Sequence, residues 1–329
     1  MARTRRLKYK QTLAAYHCIS RVVNGEKLFG DTEKEKMREL LHLCADFCGV
    51  QVVTYVLMSN HFHVLVRVPE PCEVSDAELL RRFKLIRAKP TPANITQIAV
   101  LEATLKAGGA GAEAARKQLL KRMGDVSAFM KEFKERYSMW HNKTHKRYGT
   151  LWADRFSSTL VQADRHFGME TVAAYIDLNP VRVGLAQDPK DYRFCGYAEA
   201  EAVGGTMLKN LRYAVSADNL SDKEMLETYR VVLFGKGASA KRGDAQAARI
   251  SEDALKSTVA EGGKLSVQER IRLRVDWLAK GLAFGGKAFV EEACAEFCRK
   301  NVRKRMVKPV SLSSEKETDW PDDLFTMRK

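Results

Sequence analysis

Two apolar runs, Gln51–Met58 and His61–Val68, stand either side of the turn pair Ser59-Asn60. Their β-branched and aromatic content predicts a hairpin. In the second run Phe62, Val64, Val66 and Val68 share one phase of the alternation, and His61 and His63 share the other. On a strand those two sets point to opposite faces. Ahead of the hairpin, residues 13–22 read as a strand followed by an Asn24-Gly25 turn. Asp31-Thr32 then caps a helix whose Met37, Leu40, Leu41, Cys44 and Phe47 follow the 3.6 period, and Gly49 ends it.

After the hairpin the periodicity fades over residues 69–124. This segment has a basic helix near Ala77–Ala88, a Pro-rich break at Lys89-Pro90-Thr91-Pro92 and a flexible Gly108-Gly109-Ala110-Gly111, and it reads as an insertion. Helical spacing returns at Val126, Phe129, Met130, Phe133, Tyr137 and Trp140, followed by a strand over Arg155–Val161 and a helix over Asp164–Leu178. The order β-α-β-β-α-β predicts an α+β fold, a ferredoxin-like split βαβ antiparallel sheet with helices on one face, the last helix being an addition. Beyond about residue 200 the pattern is helical, with linkers at 235–240 and 262–263. A helix pair, Val267–Leu278 and Lys287–Arg299, flanks Phe284-Gly285-Gly286, and a polar tail from Pro309 is expected to lack fixed structure. The expected division is residues 1–200 as one domain and 201–329 as a mainly helical C-terminal extension.

Charge narrows the partners. Lys and Arg number 56 against 41 Asp and Glu, a net +15. The excess gathers in Arg3, Arg5, Arg6, Lys8 and Lys10 and again between Arg299 and Lys308, as it would in a surface that meets nucleic acid. No apolar run reaches the roughly 18 residues of a membrane span. The basic N-terminus has no apolar signal segment after it, so the expectation is a cytoplasmic, nucleoid-associated protein without a membrane partner. The seven cysteines form no Cys-x-x-Cys pair, which argues for reduced core packing over zinc or redox chemistry.

The candidate chemistry lies in two places. His61 and His63 could hold a metal as a bidentate pair on a strand, although alternation alone can place two histidines on one face. Tyr175 and Asn179 are four apart and share a helix face, with Pro180 setting Asn179 at the helix end. If that face meets the histidines, two imidazoles and an amide oxygen surround a cation beside a phenol.

The segments Val56–Val66, Tyr148–Phe156 and Tyr175–Gly184, in that order, closely resemble the REP-associated tyrosine transposases among the HUH endonucleases. The likeness spans roughly residues 10–200. It implies metal-dependent cleavage and rejoining of single-stranded DNA through a 5′-phosphotyrosine, at hairpins of palindromic repeats. Tyr175 would be the nucleophile, His61, His63 and Asn179 the metal ligands, and Mg²⁺ or Mn²⁺ the cation, although two imidazoles ordinarily favour zinc, nickel or copper. A free tyrosine titrates near 10, so the attack needs activation. His17, Arg21, Arg147, Trp152, Arg155 and Arg182, with Arg303, Lys304 and Arg305, are the expected DNA contacts, Trp152 being equally suited to the core. Members of the family occur as monomers and as dimers with exchanged tyrosine helices, and a monomer is expected here. The competing readings are a non-cleaving DNA-binding regulator, a rolling-circle initiator or relaxase, and a zinc hydrolase. The last lacks a His-Glu-x-x-His carboxylate.

Overall fold

A computed structural model describes residues 6–8, 13–163, 166–215, 219–234, 281–301, 309–311 and 324–327. The expected core is present: β1 (Ala14–Arg21), α1 (Asp31–Cys48), β2 (Gln51–Leu57), β3 (His61–Val68), α5 (Val126–Thr144) and β4 (Ser157–Val161). Between β3 and α5 run α2 (Asp76–Leu85), α3 (Pro92–Ala107) and α4 (Gly109–Leu120). The strands pair antiparallel in the order β2-β3-β1-β4, so the histidine strand is internal.

The two phases of β3 select what covers each face. Phe62 meets Phe133 of α5 and Trp152, with ring centroids 5.3 and 5.5 Å apart, and this side carries α1 and α5, as a split βαβ unit requires. Burying such an aromatic contributes on the order of 1.5–3 kcal/mol. The opposite face, bearing His61 and His63, is covered by the added helix α6 (His166–Asp177), which continues into the short α7 (Asn179–Arg182). Behind it α8 (Gly196–Val203) and α9 (Gly205–Val215) pack on β2, and α10 (Asp222–Phe234) packs on α6. The α+β expectation therefore holds, with α6 making the second helical layer.

Three details differ from the sequence expectation. Residues 69–124, read as an insertion with one helix near Ala77–Ala88, contain three helices. Thr91 caps α3 by accepting from Asn94 N (3.2 Å), and the glycine run is a joint and a helix start, Gly108 at φ +72° linking α3 to α4. Periodicity missed α3 because it buries little, leaving Ile95 and Val100 more than half exposed.

Phe284-Gly285-Gly286 is not a connection between helices but part of β5 (Ala283–Gly286), parallel to β4 and followed by α11 (Lys287–Asn301). A Cβ on Gly285 would come within 2.7 Å of the Gln162 side chain and 2.8 Å of Phe289, so this strand accepts glycine where strand statistics disfavour it. The polar tail, thirdly, supplies β6 (Val310–Ser311) and β7 (Leu324–Met327), extending the sheet to seven strands, β2-β3-β1-β4-β5-β7-β6. The expected linkers and the Val267–Leu278 helix lie outside the described residues.

Candidate functional site

The site forms where the histidine phase of β3 meets α6. His61 pairs with Arg21 of β1, His63 with Ile19, and His17 lies one pair further along on the same face. His17 Nε2 is 2.9 Å from His63 Nδ1, and both rings stand edge-on to Tyr175 at 5.7 and 5.6 Å. His61 and His63 have centroids 5.2 Å apart. The partly buried Tyr175 thus stands beside the paired imidazoles of its own chain.

Each imidazole has one nitrogen engaged. His61 Nδ1 meets Asn60 Oδ1 at 2.7 Å, and because an amide oxygen only accepts, that nitrogen carries the proton and Nε2 holds the lone pair. For His63 the contact with His17 occupies Nδ1 and leaves Nε2. Burial, with the neighbouring Arg21 cation, pushes His61 down to about 4. Burial first, then the charges of His17, His61, Arg21 and Arg182, holds His63 well below its ordinary value. Both rings are neutral at pH 7, the form that ligates metal.

Asn179 follows α6 and is buried; its Nδ2 donates to the carbonyls of Tyr175 (2.8 Å) and Ile176 (3.2 Å). The nitrogen is thereby committed to capping the helix end, and Oδ1 is the atom a cation would take. Among the described residues no group of three or more His, Cys, Asp or Glu side chains is placed to hold a metal. Two neutral imidazoles with one amide oxygen fit a divalent cation that keeps other coordination positions for oxygen ligands. Arg182 lies over the Tyr175 ring, Cζ 5.1 Å from the centroid, and its Nη1 is buried without a hydrogen-bond partner. An orphaned guanidinium N–H of this kind suits a phosphate oxygen.

The other expected contacts divide. Arg21 and Arg155 are exposed, and Arg147 pairs with Glu26 at 3.3 Å on the loop after α5. Trp152 is only 9% exposed, packs against Phe29, Phe62 and Tyr137, and donates Nε1–H to Ser138 Oγ (2.8 Å). It belongs to the core and presents no face to a base. Tyr137, on the apolar stripe of α5, is fully buried, and burial pushes its hydroxyl far above the usual tyrosine value. Arg303, Lys304 and Arg305 lie outside the described residues.

Two participants escaped the sequence reading. Asn60 served there only as a turn residue. Asp177 was unremarked, yet it is fully buried and takes hydrogen bonds from Thr54 Oγ1 (2.6 Å), Tyr229 OH (2.5 Å), Cys195 Sγ (3.1 Å) and Tyr197 N (3.4 Å). The available signal was a lone carboxylate in the apolar stretch Val172–Leu178, since a helix apolar all round is a buried one.

Comparison with known proteins gives a family match over residues 10–98, to the family described as "Transposase IS200 like". The matched span includes β1 to β3 with the histidine pair and ends ahead of Tyr175. Among solved structures, a REP-associated tyrosine transposase bound to a REP hairpin aligns at 15% identity and a TM-score of 0.38, over 62% of this chain and 87% of that one. No curated protein matches significantly.

Proposed function

We propose, from the premise that residues 10–98 carry an IS200-like transposase region, that this chain cleaves and rejoins single-stranded DNA with Tyr175 as nucleophile. The observation that carries this is the placement of Tyr175 beside His63 and His17, 5.6 and 5.7 Å between ring centroids, within one chain. The hydroxyl would attack a phosphorus, displacing the 3′-oxygen and leaving a 5′-phosphotyrosine. The free 3′-hydroxyl then reverses or transfers the bond without an external energy source. Mg²⁺ or Mn²⁺, held by His61, His63 and Asn179, would supply charge withdrawal from a non-bridging oxygen.

The protein's own part is orientation. Asn60 and His17 engage the Nδ1 atoms and so leave Nε2 of each imidazole for a ligand. Arg182 offers its unpartnered N–H to phosphate, and Asn179 ties the end of α6 to the carbonyl of Tyr175 itself. Because the tyrosine helix packs over the histidines of the same chain, a monomer acting in cis is the assembly that this geometry favours. The motifs Val56–Val66, Tyr148–Phe156 and Tyr175–Gly184 support hairpins of palindromic repeats as the substrate.

The test is covalent capture on a labelled hairpin with a single-stranded flank. Wild type should form an adduct that Tyr175→Phe lacks while binding the hairpin normally. His61→Ala, His63→Ala or excess EDTA should each suppress adduct formation, and Asn179→Ala should do so more mildly, since water can replace a neutral oxygen. An adduct at the wild-type rate from Tyr175→Phe would reassign the nucleophile. Hairpin binding with no adduct from wild type would instead favour a non-cleaving regulator.

A further inference from the structure

With Trp152 in the core, an aromatic of the same connecting segment that does reach solvent is Tyr148, 94% exposed. It sits on the turn that follows α5, and that turn is held at several points. Asn142 accepts from Arg147 N (2.9 Å) through its carbonyl and donates from its side chain to Gly149 O (3.0 Å). Lys146 takes φ +49° and Gly149 φ +89°, a left-handed backbone that a lysine adopts only where its surroundings hold it there. The ring is therefore presented on a fixed turn and packed against nothing.

The turn borders the histidines through a chain of polar contacts. Arg147 pairs with Glu26, Gly25 accepts from Asn60 Nδ2 (3.0 Å), and Asn60 holds His61 (2.7 Å). Exposed Lys143, in the last turn of α5, and exposed Lys146, on the turn itself, lie close to Tyr148 along the chain. A single exposed apolar side chain is ordinary on a protein surface. This one is a flat π-face on a turn that also carries Lys146 and that the contacts through Glu26, Gly25 and Asn60 connect to the histidines, in a chain of net charge +15.

We infer that Tyr148 is a stacking platform for one unpaired nucleobase of the strand that flanks the attacked phosphate, with Lys143 and Lys146 on the adjoining phosphates. The inference rests on the proposed single-stranded DNA function and adds a contact point to it. Every base has a π-face, so the platform contributes affinity and registers the strand without selecting a base. The hydroxyl has no role in it.

The experiment uses the full chain and a hairpin with a single-stranded flank. Dissociation constants are measured for wild type and for Tyr148→Phe, Tyr148→Leu and Tyr148→Ala, with melting temperatures as a folding control. Phenylalanine should bind as wild type does, whereas alanine and leucine should each weaken binding roughly five- to hundred-fold, the span of single-base stacking. Stepping 2-aminopurine along the flank should find one position whose fluorescence is quenched by wild type and not by Tyr148→Ala. An abasic site there should weaken wild type and leave Tyr148→Ala unchanged.

Wild-type affinity in Tyr148→Ala, or leucine performing as well as phenylalanine, overturns the platform; normal adduct formation would then leave the proposed function standing. A wild-type protein that binds no single-stranded DNA overturns both. A change of association state in Tyr148→Ala with unaltered DNA affinity would assign the ring to a contact between copies of the chain, and the platform would again be excluded.

Discussion

His61 stays neutral in the folded protein down to about pH 4 because it is buried beside the Arg21 cation. In the unfolded chain a histidine titrates near 6.5. Between those values the unfolded state binds more protons, so the stability contributed by the neutral ring is full above about pH 6.5 and is lost as pH falls toward 4. His61→Gln removes this titration. Its melting temperature should decline less than that of wild type between pH 6.5 and 4, measured without added metal, and an equal decline would place the acid sensitivity elsewhere. The histidine pair was legible in the sequence because strand alternation is a local rule. That Tyr148 and not Trp152 faces solvent was illegible, because two aromatics four residues apart in one connecting segment carry no periodic signal. What decided it was the space between Phe29, Phe62 and Tyr137, which Trp152 fills.

At the scale of elements, the tyrosine helix is bolted down two residues beyond its nucleophile candidate. Asp177 joins α6 to β2 through Thr54, to the start of α8 through Cys195 and Tyr197, and to α10 through Tyr229. All of these groups are buried, so removing the carboxylate strands several donors at once. Asp177→Ala should cost on the order of 3 kcal/mol or more, read by denaturant unfolding. Tyr229→Phe, which deletes one donor and keeps the ring, should cost about 1–2 kcal/mol. Losses below a few tenths of a kcal/mol in both would mean that this network does not hold α6. Residues 201–234, taken from the sequence as part of an extension, thereby reach the helix that carries Tyr175 through Tyr229. A carboxylate flanked by apolar residues hinted at burial, but its partners lie 18 to 123 residues away in the chain. No local pattern reports such distances.

For the whole molecule, charge is the property that the sequence states most directly. With 56 basic against 41 acidic residues, binding to single-stranded DNA should weaken with salt, each phosphate contact adding about −0.7 to the slope of log affinity against log salt. Neutralising Arg303, Lys304 and Arg305 together should flatten that slope by up to about 2 units without moving the cleavage position, since phosphate contacts do not read bases. A salt series on both proteins checks this, and an unchanged slope removes the cluster from the DNA-binding surface. The sequence by itself determined the strands and helices of the split βαβ core, the shared face of His61 and His63, and the shared face of Tyr175 and Asn179. Each follows from spacing within one element, where backbone geometry dictates direction. Only the tertiary structure decided that α6 covers the histidine face, that His17 joins His63, and that β5 and β7 complete the sheet beside β4. Those outcomes depend on which distant surfaces fit together: the short, glycine-bearing Ala283–Gly286 becomes a strand because β4 and β7 offer it backbone partners on both sides.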